Sequence, residues 1–117
     1  MEAEATDVHR ADLVGRWHAG ESCDSSLVLD RQGSARFAHW AKNFSVDESR
    51  ITSWEDGRGS WTLDTLGGSQ VLNVETSAGG EQLSLLRSDH GGLILLQIPG
   101  DDPDNSIGCR FRRVKGQ

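Results

Sequence analysis

Two cysteines, four histidines and a C-terminal run of arginines carry most of the chemistry open to this chain. Cys23 and Cys109 can stay as separate thiols or join in a disulfide. With His18 they also make three ligands, a set that would leave a metal one open position. No C-x-x-C or H-x-x-x-H spacing supports that set, so no metal is expected. His39 follows Phe37 by two residues, which puts both on one face of a strand, inside or at the rim of whatever it encloses. There an imidazole titrating near neutrality can bond a ligand or carry a proton, or simply be satisfied by a backbone carbonyl. Asp101, Asp102 and Asp104 flank Pro103 but lack the glycine and glutamate spacing of a calcium loop, so a solvated turn is expected. Arg110, Arg112, Arg113 and Lys115 fit either an exposed arginine edge or an anion site, the edge being the simpler outcome. No nucleophile elbow, P-loop or dinucleotide fingerprint is present. Neither a catalytic residue nor a cofactor is therefore assigned.

The elements that must position these residues are short strands. A chain of 117 residues closes one domain, and 14 glycines with 35% hydrophobic residues fit a turn-rich all-β domain. A formal charge of -6 argues against broad nucleic-acid binding, because no net basic field displaces counterions. The opening Met1–Asp7 is acidic, without an apolar leader core, and no apolar run spans a membrane. A cytoplasmic location is the expectation, with a secreted form lacking its leader as the alternative.

Residues 1–11 read as a flexible lead and 12–117 as the domain. Strands are predicted over 13–18, 26–29, 34–40, 70–76, 81–87, 93–98 and 109–114. Between 51 and 64, an Asp56-Gly57 pair predicts a hairpin with a type I′ turn. Ser45 and Glu48 have capping-box spacing, predicting a short helical turn near 44–50 that serves equally as lid or plug. Leu93–Leu96 is apolar on both faces, so its outer side must be covered. Eight or nine strands joined to their sequence neighbours remove their edges by closing into an antiparallel up-and-down barrel. In such a barrel Cys23 and Cys109 share one end. A bridge then competes with two free thiols, which the absence of a leader favours.

The Gly15-x-Trp17 of the first strand, with an arginine of the last, resembles the lipocalin-like, or calycin, barrels. A wider pattern adds Gly59-Ser60-Trp61-Thr62-Leu63 and Asp-Pro-Asp before a final Phe-x-Arg, and is similar to short actinobacterial proteins. The resemblance implies that Trp17 packs with Arg110 or Arg112 at a closed end, and that the other end takes a small apolar ligand. The chain has no tyrosine, so the Thr-Asp-Tyr turn of that family is missing, and an interior filled by side chains is expected.

Function reads first as a non-catalytic barrel binding a small, largely apolar molecule, with His39, Trp40 and Trp54 gating the mouth above Phe37 and Trp61. The alternatives are a filled-barrel protein-interaction module, immunity or regulatory, anchored on the Trp40 face, and a cyclase-type barrel. Partners would be a small apolar ligand, a second copy or another protein.

Overall fold

The computed structural model describes residues 2–20, 23–76, 79–99 and 108–114. Its elements are β1 (Ala3–Glu4), α1 (Arg10–Leu13), β2 (Gly15–Ala19), β3 (Ser25–Leu29), β4 (Ser34–Ser45), β5 (Arg50–Leu66), β6 (Ser69–Thr76), β7 (Gly79–Arg87), β8 (Leu93–Gln97) and β9 (Cys109–Arg113). Strands β2 to β9 each pair antiparallel with the next. β9 returns to β2, which closes an eight-stranded up-and-down barrel. Strict alternation makes the faces: in β3 Leu27 and Leu29 point in, and Ser26 and Val28 point out.

The hairpin of β4 and β5 departs from expectation. Asp56-Gly57 is not a turn but lies inside the 17 residues of β5. The turn is instead at 46–49, where Ser45 Oγ accepts the Glu48 amide (3.2 Å) without a helix following. Gly57 serves packing: it pairs with Phe37, and a Cβ there would sit 2.9 Å from the Phe37 ring. Gly59 likewise runs so close to β6 that a Cβ would overlap the Glu75 carbonyl oxygen.

Residues 2–13, which include the described part of the 1–11 lead, lie across one end of the barrel. β1 pairs with Leu86 and Arg87 of β7, beside the stretch of that strand bonded to β6. Val8 gives its amide to Gln70 Oε1 and takes Gln70 Nε2 on its carbonyl, both at 2.8 Å. Ala5, Val8 and Leu13 are buried, so this segment is the base of the core.

The side chains that the described strands point inward are mostly large and apolar. Trp17 and Trp61 pack at the base, Leu27, Leu29, Leu72, Leu83, Leu85 and Leu95 in the middle, and Phe37, Trp40 and Phe111 above them. Ring centroids 5.4 Å apart link Phe37 to Trp40 and Trp40 to Phe111. Each buried indole keeps a hydrogen bond: Trp17 Nε1 to Leu13 O (3.0 Å), Trp61 Nε1 to Asp30 O (2.9 Å) and Trp40 Nε1 to Glu81 Oε2 (2.8 Å). Ile94, on the outer side of β8, is also buried, between Leu86 and Arg112 in register.

Candidate functional site

At the base, the guanidinium over Trp17 belongs to Arg113, not to Arg110 or Arg112. Its Cζ lies 4.4 Å from the indole centroid. Parity explains the difference. Cys109 and Phe111 point in, so Arg110 and Arg112 point out, while Arg113 shares the inward side and pairs in register with Trp17. Arg113 donates Nη1 to Val14 O (2.9 Å) and Nη2 to Asp12 O. Gly15, at φ +137°, keeps the space clear, since a Cβ would strike Arg113 Nη1. A second pair went unread: Arg10 covers Trp61 at 4.3 Å and bonds Arg31 O. These pairs seal the base.

Outside, Arg110 bonds Glu2 through Nε (2.9 Å). That bond holds the Glu2 carboxyl below its ordinary range and raises the guanidinium.

At the opposite end Cys23 and Cys109 are bridged, their Cα atoms 5.9 Å apart and both residues buried. The sulfurs are thus bound to each other, and His18 points outward to Asp24 (3.1 Å), so the three do not converge. No cluster of three or more metal-ligating side chains occurs among the described residues. The aspartates 101, 102 and 104, and Lys115, lie outside the described residues.

His39 is not on the face of Phe37. The pairing of β4 with β5 slips between Phe37 and Trp40, and His39 takes φ +54°, so parity inverts there. Trp40 turns inward and His39 outward. The bulge is pinned: His39 N donates to Asp56 Oδ1 (2.8 Å), Ser25 Oγ donates to His39 O (2.6 Å), and His39 Nδ1 lies 3.1 Å from the carbonyls of both Cys23 and Asp24. Because both partners are carbonyl oxygens, Nδ1 is the donor in these contacts. The ring stacks on Trp54 at 4.6 Å and 10°. Trp54, 37% exposed, is the one tryptophan on the outer surface among the described residues.

Of the five residues expected around a ligand, Phe37, Trp40 and Trp61 are core, and His39 and Trp54 form an exterior pair. Sequence parity missed a polar cluster inside: Gln97 Nε2 donates to Ala41 O (2.9 Å) and Glu81 Oε1 (3.0 Å), beside the Trp40 bond. Gln97 is fully buried, and its Oε1 has no partner among the described residues.

Comparison of the chain with protein-family models, with curated proteins and with solved structures finds no match. Fold and surface therefore carry the functional reading.

Proposed function

We propose that this barrel is a non-catalytic protein-interaction module that works through its outer face, with Trp54 and His39 as anchor. The observation that supports it is the inverted bulge, which spends Trp40 on the core and holds Trp54 and His39 stacked toward solvent. A flat aromatic pair fixed by backbone bonds loses little entropy on binding, and tryptophans are over-represented among residues that dominate interfaces. The aromatic rings of Trp17, Phe37, Trp40, Trp61 and Phe111, all buried, favour this reading over a small-molecule binder or a cyclase, both of which need open space along the axis.

The bridge adds a proposal about environment. Two buried sulfurs linking positions 86 residues apart are suited to an oxidising compartment rather than the cytoplasm.

Affinity capture from the native host with wild type, Trp54→Ala and His39→Ala tests the function. One protein retained by wild type and lost with Trp54→Ala is the expected outcome. Equal retention by all three would refute the anchor.

A further inference from the structure

The outer face beside this anchor carries a row of arginines that form no ion pair among the described residues. In register, Arg58 of β5 lies opposite Arg36 of β4, Arg36 opposite Val28 of β3, and Val28 opposite Arg16 of β2. One step along, His18 of β2 lies opposite Arg112 of β9. At about 4.8 Å per strand the row spans about 19 Å. Two grooves join over Val28. One of about 740 Å³ includes Arg16, His18, Val28 and Arg112 in its lining, and one of about 270 Å³ includes Val28, Arg36 and Arg58.

The four guanidinium groups are exposed, and none has an ion-pair or hydrogen-bond partner among the described residues. Glu2, bonded to Arg110, is close enough to Arg112 to feel its charge, and the other nearby carboxylates are engaged elsewhere. Asp30 Oδ1 takes the amides of Gln32 and Ser34, Asp56 takes that of His39, and Asp24 bonds His18. Like charges directly opposite on a sheet destabilise it, and Arg36 against Arg58 is such a pair. The free barrel keeps this repulsion although its formal charge is -6 and acidic residues are abundant elsewhere.

We infer that this row is the docking surface for an extended, acidic segment of a partner protein. The inference rests on the interaction-module reading and names the chemistry of the partner. About six residues of extended chain cover 19 Å, and carboxylates along it can each meet a guanidinium in a two-bond fork. Half-buried Val28 gives an apolar contact at the centre. A polypeptide fits better than a nucleic acid because Asp24, Asp30 and Asp56 interrupt the row. A uniform phosphate backbone would meet those charges, whereas a peptide can set neutral side chains against them.

The test uses poly-L-glutamate as probe, titrated into the intact, bridged protein at low salt and followed by NMR amide shifts. Expected are shifts centred on β2 to β5, affinity that falls with salt, and about tenfold weaker binding in Arg36→Glu and in Arg58→Glu. Arg50→Glu, at the far hairpin tip, controls for net charge and should bind as wild type. Arg58→Gln guards against misfolding: it should weaken binding while raising the thermal midpoint by about 2 °C through relief of the repulsion. Equal binding by wild type and both reversals would overturn the inference. So would an oligothymidine of equal length binding as tightly, or self-association lost in the same variants. Loss of poly-L-glutamate dependence on the row, with Trp54-dependent capture intact, refutes the row alone. The converse result refutes the anchor alone.

Discussion

Replacing both cysteines with alanine should lower stability by an amount that follows from where they sit. The bridge joins positions 86 residues apart. In the loop-entropy description, a cross-link of that span constrains the unfolded chain by about 4.6 kcal/mol. Unfolding entropy for a chain of this length is about 0.25 kcal/mol per kelvin near 60 °C. The Cys23→Ala/Cys109→Ala protein should therefore melt about 15–20 °C below wild type. Alanine leaves no buried hydroxyl, so the change reports the link and a small packing loss. The assay is thermal unfolding by circular dichroism, run with and without reductant. Reduced wild type should melt close to the double variant, and the variant should ignore reductant. A wild-type midpoint unmoved by reductant under conditions that break the bond would refute the reasoning.

Other expectations separate the roles of individual residues. Gly59→Ala should cost about 3 kcal/mol or more in urea unfolding, because the new methyl meets the Glu75 backbone, whereas Gly80→Ala, whose Cβ has only an ordinary 3.5 Å contact, should be nearly neutral. The Glu2 carboxyl is held below its ordinary value of 4.5 by Arg110, so its contribution is present above that pH and fades as pH falls through the lowered value. The stability difference between wild type and Glu2→Gln, measured by urea unfolding across pH, should accordingly vanish at the acid end; a difference that persists there would contradict the sign.

The barrel was legible because its physics is repetitive. Alternation in β2, β3, β7 and β9 and short connections leave a closed sheet as the natural way to bury one face. The errors came where one residue breaks the period. Glycine at 57 looked like turn chemistry, yet it makes room for Phe37, a contact that only the paired strand reveals. The bulge before Trp40 adds a residue to β4 and exchanges His39 for Trp40 inside, and no composition signal marks it. Arg113 was within reach, since it shares parity with Phe111, but nothing in the strand itself says that its end folds across Trp17. The lead looked polar because, of its described residues, only Ala5 and Val8 are buried, and their hydrogen-bond partners, Leu85 and Gln70, lie in distant strands. For the site, the sequence supplied the residue types, while the face each one occupies depended on that single bulge.

The most direct test of an outer-face interaction module is native mass spectrometry of wild type and Trp54→Ala recovered gently from the host. A bound polypeptide on wild type that is absent from Trp54→Ala is the expected result. A bound small molecule retained equally by both proteins would contradict the account and return function to the barrel interior.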